Sequence, residues 1–140
     1  MLINEIKKAN IEAMKNKDKD SRAVYSVVIS RYQLQEVEAK ASGKTIGDTE
    51  LLTIIQKVLK ELNDEKEGYA KVNNLEKVAS IENQIKIISN FLPKQLTAEE
   101  IKEEISKLDD KTLPNIMKHF KTNFAGKVNM SLVSQIAREL

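Results

Sequence analysis

Four positively charged residues near the end of the chain have the type and spacing that could bind phosphate. They are Lys118, Lys121, Lys127 and Arg138, and from Lys111 to Arg138 there is no Asp or Glu. Lys118 and Lys121 are three residues apart and therefore lie on adjacent turns of a helix. Such a surface can neutralise phosphates in a salt-dependent way that is largely blind to sequence. The pattern fits either a nucleic-acid-binding face or the solvated side of an ordinary helix.

Residues for catalysis are not indicated. His119 is the only histidine, the chain has no cysteine, and the acids nearest to it lie in the preceding predicted helix. A nucleophile and base pair therefore has no visible basis, and we expect a surface or partly packed histidine. Gly126-Lys127 lacks the glycine and the Ser or Thr of a phosphate-binding loop, because Lys121 and Val128 occupy those positions.

An acidic group precedes the basic stretch, at Glu99, Glu100, Glu103 and Glu104. On a helix these carboxylates spread over the solvent side, with no histidine beside them and no second carboxylate helix facing them. An acidic first turn is favoured by the helix dipole. We therefore predict no metal site and no cofactor.

The composition indicates a helical protein. The 140 residues include four glycines, two prolines and 4% aromatic residues, which is unlike a sheet-rich chain. The absence of cysteine suits a reducing compartment, and no apolar run is long enough for a signal peptide or a membrane span. We expect a cytoplasmic all-α protein that does not enter a membrane.

The first predicted helix carries apolar residues from Leu2 to Met14 and should stop before Asp20, with Asp20 or Ser21 capping the next helix. The second helix has a broad apolar arc and is predicted to be the most buried. One side of it carries Val24, Val27, Val28, Arg31 and Leu34, and the apolar arc is widened by Tyr25, Ile29 and Tyr32.

Two longer helices should follow. Gly43 is placed to end the second helix in the left-handed conformation, and the third runs from about Asp48 to about residue 70. Asn73 or Asn74 can cap the fourth. The apolar spacing of three and four predicts that these two helices pack as an antiparallel hairpin within an N-terminal helical bundle.

Pro93 should end the fourth helix because proline disfavours the α conformation in the residue before it. Thr97 and Glu100 have capping-box spacing and start the next helix. We therefore predict an N-terminal domain, 1–92, and a C-terminal domain, 93–140. The segment between them is interpreted as a hinge rather than a binding site.

The C-terminal domain should contain three short helices. Thr112 can cap the second of them with Pro114 in its first turn, Gly126 closes it, and Asn129 caps the last. Phe120 and Phe124, at a spacing of four, are predicted to be core residues rather than platforms for bases.

Three short motifs in the last third carry a family resemblance: Phe91-Leu92-Pro93-Lys94-Gln95-Leu96, Ile116-Met117, and Ala125-Gly126-Lys127-Val128-Asn129. With the preceding long hairpin they resemble the GatB/YqeY family, specifically the free-standing YqeY-like proteins, over essentially all 140 residues. The chain departs from the family's sequence pattern at two places. It has Leu113-Pro114 where the family commonly has Met-Gly, and it has Val128-Asn129 where the family commonly has Ala-Asp.

The resemblance implies a binding role without a reaction. The C-terminal domain would be similar to the tail of the GatB subunit of the tRNA-dependent amidotransferase, which helps to hold tRNA while other domains perform the kinase and amidation chemistry. The partners implied are tRNA or a tRNA-modifying or synthetase-type protein. The candidate tRNA-binding residues are Lys118, Lys121, Lys127 and Arg138 as phosphate contacts, with Gly126 and Asn129 shaping the loop.

A second interpretation is a protein-protein interaction module with no RNA contact, in which the hairpin from Leu51 to Leu92 docks a partner helix or a second copy. An exposed, contiguous apolar strip on the hairpin would favour it. A free-standing amidotransferase would need amide-donor and ATP sites for which the sequence shows no motif.

Overall fold

Seven α-helices and no strands make up the computed structural model, which describes residues 1–140. The predicted all-α class is confirmed. The helices are α1 (Leu2–Lys15), α2 (Lys19–Ala41), α3 (Asp48–Lys71), α4 (Leu75–Ser89), α5 (Ala98–Ser106), α6 (Leu113–Asn123) and α7 (Met130–Glu139).

The chain divides into two compact units, Met1–Phe91 and Leu92–Leu140. The N-terminal unit contains α1 to α4. Within it α3 packs most extensively against α4, and α1 against α2, while α2 also contacts α3 and α4. Its core is built mainly from aliphatic residues of all four helices, among them Ile6, Val28, Leu51, Ile55 and Ile88.

Backbone turns in the left-handed region join the helices of the N-terminal unit. Lys17 follows α1 with φ 55°, and Asn73 follows α3 with φ 56°. Gly43 follows α2 with φ 71°, as predicted. Asn74 caps α4 by accepting a hydrogen bond from the Lys77 N–H, which confirms one of the two predicted capping residues.

The predicted cap of α2 is wrong. Asp18, not Asp20 or Ser21, is the N-cap: its carboxylate accepts from the Ser21 N–H at 3.2 Å and from the Ser21 hydroxyl at 2.6 Å. The left-handed Lys17 turns the chain so that the cap lies two residues before Asp20, the nearer of the two predicted caps, and the helix begins at Lys19. Asp20 lies inside the first turn.

Asp20 has a different role, because its carboxylate links α2 to α4. The Ser80 hydroxyl donates to Oδ1 at 2.6 Å and the Asn83 amide donates to Oδ2 at 3.0 Å. The hydrogen bonds from Asn83 and Ser80 lower the pKa of Asp20, since they stabilise the charged form.

The prediction for α2 as the most buried helix is also partly wrong, because two residues of its predicted apolar arc are exposed. Val24, Tyr25, Val28 and Tyr32 are buried as expected. Val27, however, is 41% exposed and Leu34 is 61% exposed. The side of α2 that faces α1, α3 and α4 is therefore only one of two apolar sides of this helix.

The C-terminal unit has its own small core, to which α5, α6, α7 and the turn before α7 contribute. Its α7 packs against both α6 and α5. Phe120 is fully buried and Phe124 packs partly buried against the same cluster, which confirms that both are core residues. The buried members are Ile101, Ile105, Ile116, Phe120, Val128, Val133 and Ile136.

Local capping fixes where the C-terminal helices begin. Thr97 and Glu100 form the predicted capping box, with the Glu100 N–H donating to the Thr97 hydroxyl and the Thr97 N–H donating to the Glu100 carboxylate. Pro114 lies in the first turn of α6, as predicted, but the hydroxyl of the N-cap Thr112 makes no capping hydrogen bond. The Thr112 N–H instead donates to Asp110.

Candidate nucleic-acid interface

The four candidate phosphate-binding cations are all exposed in the C-terminal unit. Lys118 and Lys121 lie on α6, Lys127 lies in the turn between α6 and α7, and Arg138 lies in the last turn of α7. None of the four takes part in an ion pair. Since α6 and α7 pack together, these charges belong to one helix pair and its connecting turn.

Carboxylates of the neighbouring acidic helix α5 are engaged by other groups. Glu104 lies 3.6 Å from the Lys107 ammonium and 3.6 Å from Nε2 of His119. Glu103 lies 4.0 Å from the same Lys107. Glu100 is used in the capping box, where the backbone N–H and the hydroxyl of Thr97 lower its pKa. Glu100, Glu103 and Glu104 therefore have partners other than the four cations, and Glu99 is exposed without an ion pair.

Gly126 and Asn129, the two residues expected to shape the loop, have defined structural roles. Gly126 is buried and left-handed, with φ 76°, a conformation that disfavours residues with a Cβ. Asn129 caps α7 by accepting the Ser131 N–H at 2.9 Å. The loop geometry at Lys127 is thus set by a glycine on one side and a helix cap on the other.

Gln95 holds this loop in place, and sequence reasoning missed it. Its side-chain amide donates to the Pro93 carbonyl at 2.9 Å and to the Gly126 carbonyl at 2.8 Å. The neighbouring Leu96 N–H donates to the Lys127 carbonyl at 2.8 Å. The segment interpreted as a hinge is therefore hydrogen-bonded to the turn that carries a candidate phosphate contact. No local pattern signals this pairing, because the partners are 31 residues apart.

His119 is partly packed, with 22% of its side chain exposed. Its ring meets Phe120 and Phe124 edge-on, at centroid distances of 5.3 and 5.8 Å. Nδ1 lies 3.2 Å from the Asn123 amide nitrogen, so it accepts a hydrogen bond in the neutral tautomer that carries its proton on Nε2. Nε2 has no hydrogen-bond partner and faces Glu104. The ring of His119 on α6 therefore lies beside the Glu104 carboxylate of α5.

No group of three or more His, Cys, Asp or Glu side chains is arranged to hold a metal ion. None of the helices combines the length and apolarity needed to cross a membrane. On the hairpin from Leu51 to Leu92, where an exposed apolar strip would favour the second interpretation, the exposed large apolar residues are Val72 and Leu75, both beside the turn between α3 and α4.

Comparison with known proteins agrees with the resemblance seen in the motifs. No curated protein gives a significant match to the chain. A family model described as Yqey-like protein matches residues 3–140, which is almost the whole sequence. The chain therefore belongs to the YqeY-like family.

Proposed function

We propose that the protein is a non-catalytic accessory protein that binds tRNA through phosphate contacts on its C-terminal unit. The observation that carries this proposal is the set of unpaired cations on α6, on the turn after it and on α7. Lys118, Lys121, Lys127 and Arg138 are exposed without an ion-pair partner, whereas two acids of α5, Glu103 and Glu104, lie next to other cationic side chains. Positive charge without a neighbouring carboxylate is available to a polyanion.

The family relationship supports tRNA as the polyanion. The C-terminal motifs resemble the tail of the amidotransferase subunit that helps to hold tRNA, and α5 to α7 form a compact three-helix unit. The proposed partners are tRNA in the cytoplasm, or a tRNA-modifying or synthetase-type protein that carries it. No reaction is assigned to the chain, because the resemblance covers a binding domain only.

The chemistry expected is counterion release. Each phosphate neutralised contributes about 0.7 to 0.9 to the slope of log affinity against log salt. Four cationic contacts therefore predict a slope of about −2.8 to −3.6, or roughly a 50- to 150-fold loss of affinity between 50 and 200 mM salt. Base sequence should matter little, since the contacts are to the backbone.

The proposal is tested by replacing Lys118, Lys121 and Lys127 together with Glu and titrating unfractionated tRNA by fluorescence anisotropy at several salt concentrations. We expect the triple variant to lose salt-dependent association and to keep its helical circular dichroism, because all three side chains are exposed. Absence of tRNA binding by the unmodified chain at low salt would overturn the proposal.

A matched control is available on α3. Lys57 and Lys60 are also exposed and three residues apart, and Lys71 is exposed at the end of the same helix. Changing these three residues to Glu alters the net charge by the same amount. We expect this variant to bind tRNA nearly as well as the unmodified chain, and an equal loss in both variants would show that net charge alone is responsible.

A further inference from the structure

Helix α2 carries a second apolar stripe on the side away from the core. Its members are spaced by four, three, four, three and four residues, and all are exposed. Val37 is 66% exposed, more than either Val27 or Leu34. The stripe consists of Ala23, Val27, Ser30, Leu34, Val37 and Ala41.

The stripe has the spacing of a coiled-coil seam. Apolar residues at alternating intervals of three and four occupy the a and d positions of a heptad. Here five of the six positions are apolar, with Ser30 the exception, and the pattern continues through nearly the full length of the helix. The buried residues Val24, Tyr25, Val28 and Tyr32 lie on the other side. A surface helix needs one apolar side to pack against its own core. A second apolar side that stays exposed therefore indicates a binding partner.

Residues flanking the middle of the stripe carry little free charge. Ser26 and Gln33 are neutral, and Arg31 donates to the Glu61 carboxylate of α3 at 2.6 Å, which compensates its charge within the chain. Exposed charges flank the stripe only towards its C-terminal end, at Glu38 and Lys40. A helix approaching the middle of this face would therefore meet apolar and neutral groups. Such a face suits another apolar helix better than a polyanion.

The outer members of the stripe are mirrored in size about residue 32, and its two central members, Ser30 and Leu34, are a small and a large residue. If a second copy of α2 lies antiparallel with its two-fold axis at that residue, Ala23 faces Ala41, Val27 faces Val37, and Ser30 faces Leu34 of the other copy. Each leucine then lies opposite a small residue, as interdigitated packing requires. A parallel pair would place Leu34 on Leu34 and Ser30 on Ser30. Antiparallel helices also bring opposite ends of their dipoles together.

We propose that the exposed stripe of α2 binds the same stripe on a second copy of the chain, antiparallel and centred on residue 32. The interface is independent of the tRNA contacts, which lie in the other unit. From residue 23 to residue 41 the seam is about 27 Å long, and a helix is about 10 Å wide. The footprint is roughly 300 Å² on each copy, below the roughly 800 Å² of a standard stable interface. The dimer is therefore weak and depends on protein concentration.

Sedimentation equilibrium over a range of concentrations tests self-association. The average mass is expected to rise from 15.9 kDa towards twice that value as concentration increases. Leu34→Glu is expected to weaken the association at least tenfold, because it places a carboxylate at the centre of the seam. Gln35→Glu adds the same charge at an exposed neighbour off the stripe and should leave the association unchanged. A mass that stays at 15.9 kDa at every concentration, or equal weakening by both variants, would overturn the proposal.

Cross-linking tests the orientation, because the chain has no cysteine of its own. Val27→Cys and Val37→Cys variants, mixed under mild oxidation, should form the mixed disulfide in preference to either homodimer. Preferred Val27→Cys homodimers would indicate a parallel pair and overturn the antiparallel arrangement. Circular dichroism of each variant establishes that it is folded.

Discussion

The two compact units differ in what their helices leave outside. In the C-terminal unit the apolar residues of α5, α6 and α7 form one small core, and the outer face is charged. In the N-terminal unit α2 buries one apolar side and exposes another. Charged surfaces attract partners through electrostatic forces that salt screens, whereas apolar surfaces associate by excluding water. The two associations proposed above should therefore differ in their response to salt, which should weaken only the binding of tRNA by the C-terminal unit.

The units should also differ in how they respond to a core substitution. Phe120→Ala removes the largest fully buried side chain of the C-terminal unit and should cost about 3 to 5 kcal/mol of its unfolding free energy. That is enough to unfold a unit of this size. Two-dimensional NMR spectra should show loss of dispersed signals from Leu92–Leu140, while those of Met1–Phe91 remain. Loss of both sets would mean that the two units fold as one.

Gln95→Ala tests whether the turn carrying Lys127 is held by the segment before α5. The substitution removes hydrogen bonds to the Pro93 and Gly126 carbonyls and should destabilise the C-terminal unit by about 1 to 3 kcal/mol in urea denaturation. Gln33→Ala, at an exposed site on α2, serves as the control and should change stability by less than about 0.5 kcal/mol. Equal effects would contradict the role assigned to Gln95.

In the N-terminal unit the link between Asp20 and α4 predicts a dependence of stability on pH. Asn83 and Ser80 lower the pKa of Asp20 in the folded state. The contribution of the Asp20 carboxylate to the free energy of unfolding is therefore complete above about pH 4 to 5, and it is lost as the pH falls through the lowered pKa. Replacing both donors with Ala should cost about 1 to 2 kcal/mol at pH 7. Urea denaturation measures the unfolding free energy at pH 7 and at pH 2.5. The difference between these two values should be smaller for this variant than for the unmodified chain. An undiminished difference would contradict the link.

Local signals in the sequence were sufficient for most helix starts. The capping box at Thr97 and the cap at Asn129 involve residues within three positions of each other, so spacing alone determines them. The cap of α2 was placed two residues too late, because Asp18 and Asp20 are both suitable and only the left-handed Lys17 decides between them. The amino-acid sequence alone does not indicate that Lys17 adopts the left-handed conformation.

Longer-range features could not be derived in the same way. Helix α2 has two apolar stripes, and periodicity treats Val24 and Val27 alike although only Val24 faces the core. Packing against α1, α3 and α4 decides which stripe is buried. The contact of Gln95 with Gly126 likewise depends on how α6 returns towards the start of α5. In the candidate site the helices and the cap that carry the cations were predictable, but the contact of Gln95 with the turn was not.

The hydrogen bonds around Lys127 have a further consequence for binding. Its carbonyl accepts from Leu96 and its N–H donates to the Phe124 carbonyl, so its main chain is ordered before any ligand arrives. A residue on a disordered tail would lose about 1 to 2 kcal/mol of backbone entropy at the moment of association. Here that entropy is lost when the C-terminal unit folds. A ligand at Lys127 would restrict only the side chain, and this preorganisation makes one lysine in the turn a better anchor than the same charge at a free chain end.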